Sequence, residues 1–345
     1  MGAALDALHK TTKREHLTVE EAAAAMNEIL TGEAGPVIVG GLLVALAMKG
    51  ETVDELVGFA RTMRAQAAKV PLAALQGSSL VDTCGTGGDS SNSFNISTVS
   101  ALVVAGAGVP VAKHGNRSIS SRCGSADVLE ALGVNVQLTP EQVGASIESV
   151  GIGFLFAPLI HPAMRYAQPV RGELKMRTVF NMLGPLTNPA GAGAQVVGVF
   201  DRKLVPMMAE ALVGLGLRRG FVVHGSDGLD EITTTGPTLV AEIVDGKVVE
   251  RQLTPDDFGL GMAQSSDLVG GDRKANAAIA REILAGRPGP GPKRDIVVAN
   301  AAAALVAAGR AEDFREGARL AAKSIDSGAA LRALEKFVRF TKQFS

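Results

Sequence analysis

Residues 85–89 read Gly85-Thr86-Gly87-Gly88-Asp89 and follow the β-branched run Leu80-Val81-Asp82-Thr83 directly. A glycine-rich turn between a strand and a helix exposes backbone N–H groups that can cradle a phosphate. It lacks the Gly-Lys-Ser ending of a nucleoside triphosphate loop and the dinucleotide fingerprint, so on this segment alone a phosphate cradle and a plain tight connection remain alternatives. Asn95, Ile96, Ser97 and Thr98 open the next helical stretch with three polar side chains at its N-terminus, which suits an anion or an ordinary cap. Lys113 to Ser121 (Lys-His-Gly-Asn-Arg-Ser-Ile-Ser-Ser) packs two cations, a histidine, an amide and three hydroxyls into nine residues. A lysine point charge, an arginine fork and hydroxyls make a shell for phosphate oxygens, with His114 a positioned donor or a satisfied loop residue rather than a nucleophile. Asp230-Glu231 sets adjacent carboxylates just beyond the apolar run 220–224. Paired acids there suit Mg²⁺, which takes one or two carboxylates plus waters and substrate phosphates; a solvated acidic turn is the competing reading.

These residues need a scaffold that brings strand ends together. Up to about residue 70 the chain predicts helices: Thr18-Val19-Glu20-Glu21 and Thr52-Val53-Asp54-Glu55 are capping boxes opening helices over 20–30 and to about 68. Residues 37–48 are apolar all round, as in a buried helix. From Leu80 onward short apolar runs alternate with helical stretches. Strands are predicted at 80–83, 109–112, 134–138, 152–156, 195–200 and 220–224, and helices at 96–107, 125–132, from 139, and around 207–215. That alternation predicts an α/β fold with a mainly parallel, helix-covered sheet. Asp245-Gly246 between two short apolar runs adds an antiparallel hairpin. Residues 158–189 break the rhythm with five prolines around a helical piece at 172–183. They read as an excursion back to the N-terminal helices, giving a small helical domain (1–74 with 164–190), a large α/β domain (75–163 with 191–345) and a cleft between them.

With 34 Lys+Arg against 35 Asp+Glu the chain carries a net charge of −1, which argues against a nucleic-acid or anionic-membrane binder. The longest apolar run, 12 residues at 37–48, falls short of the ~20 that span a bilayer. Two cysteines, Cys84 and Cys123, make neither a disulfide framework nor a sulfur-ligated zinc site, and point to a reducing cytoplasm.

The motifs Gly85–Asp89, Asn95–Thr98, Lys113–Arg117, Gly124-Ser125-Ala126-Asp127, Arg177-Thr178-Val179-Phe180-Asn181, Gly184-Pro185-Leu186-Thr187-Asn188-Pro189 and Asp230-Glu231, in this order, resemble the anthranilate phosphoribosyltransferase family over nearly the whole chain. The resemblance implies transfer of a 5-phosphoribosyl group from phosphoribosyl pyrophosphate to the amine of anthranilate, Mg²⁺ as two ions, a homodimer, and the two-domain fold shared with pyrimidine nucleoside phosphorylases. The catalytic set it implies is Lys113, Asp89 and Asn116. For phosphoribosyl pyrophosphate it implies Gly85, Gly88 and Asp89, then Ser93 with Asn95, Ile96, Ser97 and Thr98. The shell is completed by Lys113, His114, Gly115, Asn116 and Arg117, by Ser118, Ile119, Ser120 and Ser121, and by Ser125. Gly85, Asn116 and Arg171 match positions that meet anthranilate; Ser97, Asp230 and Glu231 match metal ligands; His114, His161 and Pro185 line the path of the aromatic acid.

Three positions depart from the family pattern. Ser90 and Ser93 stand where Gly and Thr are usual, and Lys175 replaces the Gly of Leu-Gly-x-Arg-Thr, which bears on the helix presenting Arg171. A pyrimidine nucleoside phosphorylase is the nearest rival, disfavoured by Asn116 and the 184–189 motif. A non-catalytic nucleic-acid-binding relative is disfavoured by the intact Asp230-Glu231 pair and the charge balance.

Overall fold

The chain opens with four helices, α1 (Ala3–Thr12), α2 (Val19–Thr31), α3 (Pro36–Lys49) and α4 (Val53–Gln66), in a computed structural model that describes residues 2–73, 75, 80–89, 91–118, 122–287 and 289–344. Both capping boxes form: Thr18 and Thr52 accept the N–H groups of Glu21 and Glu55, whose carboxylates return the contact to the cap N–H. Helix α3 corrects one expectation. Leu42, Leu43 and Leu46 are buried, but Val37 and Met48 are 86% and 74% exposed, so the helix lies on the edge of the bundle and buries one face only.

The rest of the chain builds one seven-stranded sheet. Strands β1 (Val81–Thr83), β2 (Val111–Gly115), β3 (Ile152–Phe156), β4 (Ala194–Gly198) and β5 (Arg219–Gly225) run parallel in the order β3-β2-β1-β4-β5. Strands β6 (Thr238–Val244) and β7 (Lys247–Leu253) extend it antiparallel. Asp245 and Gly246 join them with positive φ of 50° and 77°, the backbone of a two-residue hairpin that matches strand twist.

The connecting helices are α5 (Ile96–Gly106), α6 (Ser125–Leu132), α7 (Pro140–Val150), α8 (Ala157–Ile160), α9 (Gln168–Leu174), α10 (Phe180–Leu186) and α11 (Leu204–Gly214). The chain ends in α12 (Arg273–Leu284), α13 (Pro292–Ala307), α14 (Phe314–Asp326) and α15 (Ala329–Thr341). Side chains that alternate along the strands feed two large cores, and a smaller third one takes Ala112 and Leu155 with Val143 and Ile147 of α7. Val81, Val111, Val196 and Phe221 join α5 and α12 to α15 on one face, while Val197 and Val222 face the core shared by α1 to α4 and α9 to α11. Helix α9 packs on α3 and α10 on α4.

Two further expectations are corrected. Residues 134–138 alternate as predicted, with Val134, Val136 and Leu138 buried, yet form no strand. The Asn135 N–H donates to Thr341 Oγ1 of α15 at 3.1 Å, so this backbone is satisfied by a helix end rather than by the sheet. The helix predicted at 172–183 is two, α9 and α10, because Lys175 takes a left-handed conformation (φ 48°, ψ 34°) that ends α9.

Candidate active site

In an open parallel sheet, loops at the carboxyl ends of strands diverge where strand order reverses, and a crevice opens there. Here the reversal lies between β1 and β4. The Gly85–Asp89 loop leaves β1 at that point and is fastened to its neighbours: the Thr86 N–H donates to the Gly198 carbonyl at 2.8 Å, and the Gly87 N–H donates to Asp230 Oδ2 at 2.7 Å. Gly198 is a glycine because a Cβ there would fall 1.5 Å from the Asp230 carbonyl oxygen. This contact of β4 with the loop after β5 brings Asp230 against the glycine loop.

Lys113 and His114 belong to β2, which runs three residues further than predicted, so both are buried strand residues rather than loop residues. Alternation sends them to opposite faces. Lys113 Nζ donates to the Thr83 carbonyl at 2.5 Å and to Ser97 Oγ at 3.3 Å, an ammonium boxed between β1 and the first turn of α5. The carboxylate of Glu231 accepts the Ser97 N–H at 3.0 Å and so occupies the N-terminus of α5, where the sequence places an anion. Asn95 does not cap the helix; it donates to the Cys123 carbonyl at 3.0 Å and accepts from Asn276 at 3.1 Å. Burial, opposed by Lys113, pushes Glu231 up to about 7, and burial with the charges of Asp89 and Glu231 raises Asp230 well above the usual carboxylate range. The charge of Asp89 thus bears on both Asp230 and Glu231, and of that pair Glu231 is the one that the buried Lys113 ammonium holds down.

Asp89 accepts from the Ser91 hydroxyl at 2.7 Å, and that hydroxyl reaches Ser93 Oγ at 3.1 Å, so Ser93 belongs to the same loop network. Beyond β2, Asn116 and Ser125 pair closely, the Asn116 N–H donating to Ser125 Oγ at 3.2 Å and that hydroxyl donating back to the Asn116 carbonyl at 3.1 Å. A Cβ at Gly115 would fall 2.3 Å from the same Oγ. Arg117 turns away from the phosphate loop and engages Glu130 with both terminal nitrogens, at 2.6 and 2.7 Å, and Asp127 at 3.1 Å. Ser118 donates its N–H to Asp127 Oδ2 at 3.2 Å. Ile119, Ser120, Ser121 and Ser90 lie outside the described residues.

On the opposite face of β2, His114 Nδ1 donates to the Gly184 carbonyl at 3.1 Å, which leaves Nε2 as an acceptor. Its ring meets the edge of His161 at 5.2 Å, and the Nε2 atoms of both rings are buried without a partner among the described residues. Burial lowers the pKa of His114 and carries that of His161 down to about 3, so both rings are neutral at pH 7. Arg171 on α9 lies over the Phe180 ring at 5.1 Å and touches Gln168 at 3.4 Å. It does not join Gly85 or Asn116 by any hydrogen bond in the structure.

Several positioning residues were not legible beforehand. Strands β1 and β2 share ladder register only at Val81 and Val111. Past that pair the amide of Asn188 is wedged between them, donating at 2.8 Å both to Asp82 Oδ2 and to the Ala112 carbonyl. Asp82 also accepts the His114 N–H at 3.1 Å, and Gln195 donates to the Pro185 carbonyl at 3.1 Å. This buried network fixes the 184–190 segment against β1 and against β2, which carries both Lys113 and His114. Its one sequence signal was an acid inside a buried β-branched run.

Ser97, Asp230 and Glu231 supply hard oxygen donors, and no cluster of three or more His, Cys, Asp or Glu ligands forms among the described residues. Two crowded, proton-avid carboxylates and a hydroxyl fit Mg²⁺ completed by waters and phosphate oxygens rather than a closed protein cage.

Models of a glycosyl transferase family match the chain twice, the helical bundle domain over residues 5–67 and the a/b domain over residues 77–331. An anthranilate phosphoribosyltransferase of Solibacter usitatus is 58% identical over 96% of this chain and 97% of its own length, and one of Rubrobacter xylanophilus 54% over 99% and 98%. Among solved structures, the anthranilate phosphoribosyltransferase of Thermus thermophilus superposes with a TM-score of 0.92 at 48% identity, covering 98% of this chain and 99% of that one. The Saccharomyces cerevisiae enzyme in complex with PRPP and Mg superposes with a TM-score of 0.90 at 29% identity, covering 99% and 98%.

Proposed function

The chain belongs to the anthranilate phosphoribosyltransferase family, and from that membership we infer that it is a transferase of tryptophan biosynthesis. It moves the 5-phosphoribosyl group of phosphoribosyl pyrophosphate to the amine of anthranilate, giving N-(5-phosphoribosyl)anthranilate and pyrophosphate. The observation that carries the reading is the convergence of the Gly85–Asp89 loop, the Lys113 ammonium and the Asp230-Glu231 pair at the sheet's switch point.

Cleaving the bond to pyrophosphate builds positive charge on the anomeric carbon and negative charge on the leaving group, so fixed charge and orientation do the work. In this reading the N–H groups of Gly85–Asp89 and the first turn of α5 meet the phosphates, and Lys113 holds its charge against the leaving group. Asp89 completes the catalytic set with Lys113 and Asn116. Ser97, Asp230 and Glu231 would hold Mg²⁺, proposed as two ions, whose charge would neutralise the pyrophosphate. Gly85, Asn116 and Arg171 receive anthranilate, the guanidinium matching its carboxylate, with His114, His161 and Pro185 along its path. The neutral aromatic amine needs little activation, in keeping with the absence of a nucleophile-and-base constellation among the residues named.

Residues 1–74 with 164–190 form the helical domain, supported by the packing of α9 on α3 and α10 on α4. The protein is a homodimer, for which exposed Val37 and Met48 on α3 offer an apolar surface. It acts in the cytoplasm; among the described residues no helix is long and apolar enough to cross a membrane.

The test is loss of anthranilate fluorescence on mixing with phosphoribosyl pyrophosphate and Mg²⁺, beside Arg171→Ala and a metal-free control. Loss that requires the metal and is weakened by Arg171→Ala through a raised anthranilate KM supports the assignment. Phosphoribosyl pyrophosphate binding with no loss of anthranilate contradicts the acceptor.

A further inference from the structure

Arg177 lies between α9 and α10 and takes no part in the site as assigned above. Its Nη2 donates to the Gly88 carbonyl, 89 residues away in sequence, and its guanidinium lies 4.0 Å over the ring of Phe200. The Phe200 N–H donates to Thr86 Oγ1 at 3.1 Å, and the Thr86 N–H to the Gly198 carbonyl at 2.8 Å. Arg177, Phe200, Thr86 and Gly88 therefore close a ring of contacts around the glycine loop.

We propose that Arg177 is a positioning residue that sets the direction of the Gly88–Asp89 peptide and so prepares the loop for pyrophosphate; this rests on the reading of Gly85–Asp89 as the phosphate loop. Gly87 and Gly88 both have positive φ, 66° and 80°, and Gly88, lacking a side chain, leaves the peptide that follows it free to turn. A peptide unit is planar and trans, so its carbonyl and the following N–H point in opposite directions. Holding the Gly88 oxygen toward Arg177 holds the Asp89 N–H the other way. Stacking on Phe200 fixes the plane of the guanidinium before any ligand arrives. Arg177 also follows Arg171 by six residues, so one strap joins the segment presenting the acceptor's arginine to the loop presenting the donor's phosphates.

The experiment compares wild type, Arg177→Gln and Arg177→Lys by amide hydrogen exchange of residues 85–89 without ligand, by calorimetric binding of phosphoribosyl pyrophosphate with Mg²⁺, and by steady-state kinetics. Expected for Arg177→Gln are several-fold faster exchange confined to the loop and a KM for phosphoribosyl pyrophosphate raised about tenfold, the size of one charge-assisted hydrogen bond. Its kcat and anthranilate KM should stay within about twofold, because uniform binding of the donor is what is lost. Arg177→Lys, which keeps the charge without the flat fork, should fall between the two. Unchanged exchange and KM overturn the proposal. So does a raised KM with unchanged exchange, which makes Arg177 a direct phosphate ligand. If wild type fails to bind phosphoribosyl pyrophosphate, the phosphate-loop reading itself falls, and the exchange result reports separately whether the strap exists.

Discussion

Replacing Lys113 with methionine keeps nearly the same volume and removes one buried charge. Among the described residues that charge has Thr83 and Ser97 oxygens as direct partners, at 2.5 and 3.3 Å, with Glu231 in its field, and Lys113 is 3% exposed. A unit charge lost about 4 Å from a phosphate oxygen costs about 4 kcal/mol at an effective dielectric of about 20. Since each ~1.4 kcal/mol is tenfold in rate, kcat/KM should fall about a thousandfold. Stability should change far less, because methionine sheds the ammonium's desolvation cost while leaving the Thr83 carbonyl without a donor, a loss of about 1–3 kcal/mol. Lys113→Arg should not restore activity, since the planar fork is larger than the space between Thr83 and Ser97. The assay is the initial rate of anthranilate fluorescence loss at saturating Mg²⁺, with thermal unfolding of each variant alongside. A folded Lys113→Met enzyme within about fivefold of wild type refutes the electrostatic role.

Other consequences follow from strained or buried residues. Lys175→Gly should stabilise the protein by about 0.5–1 kcal/mol, because left-handed backbone costs a side-chain residue about 1–2 kcal/mol and glycine's extra unfolded-state freedom takes back part of that; a melting temperature below wild type would contradict it. His161, at about 3 when folded and near 6.5 when unfolded, stays neutral in the native state while the unfolded chain gains a proton below pH 6.5. Its contribution therefore falls as pH falls, by about 2 kcal/mol between pH 7 and 5, and urea unfolding at both values should show a shallower loss for His161→Phe than for wild type. The buried Lys49–Glu55 pair, 3.0 Å apart with side chains 2% and 0% exposed, also holds the Leu17 and Thr52 N–H groups. Glu55→Leu should cost about 3–5 kcal/mol of stability, read from the urea midpoint, with little change in KM for either substrate.

The alternation of short apolar runs with helices after Leu80 was enough to anticipate a parallel sheet, because buried parallel strands leave few other patterns. Both capping boxes and the Asp245-Gly246 hairpin were legible because their signals are local. Residues 134–138 misled because alternation reports one buried face and says nothing about what pairs the backbone, here Thr341 some 200 residues away. At the site, residue types were readable but partners were not. Arg117 looks like a phosphate ligand in sequence, and only the fold reveals Glu130 and Asp127 beside it. Asp82 and Asn188 gave little warning, since a wedge between two strands depends on residues 106 apart.

A crystal structure of the protein with phosphoribosyl pyrophosphate, Mg²⁺ and an anthranilate analogue addresses the central claim most directly. The pyrophosphate should lie on the N–H groups of Gly85–Asp89 and the first turn of α5 beside Lys113, the metal on Ser97, Asp230 and Glu231, and the analogue's carboxylate on Arg171. Pyrophosphate bound elsewhere, or metal without contact to Asp230 or Glu231, would contradict it.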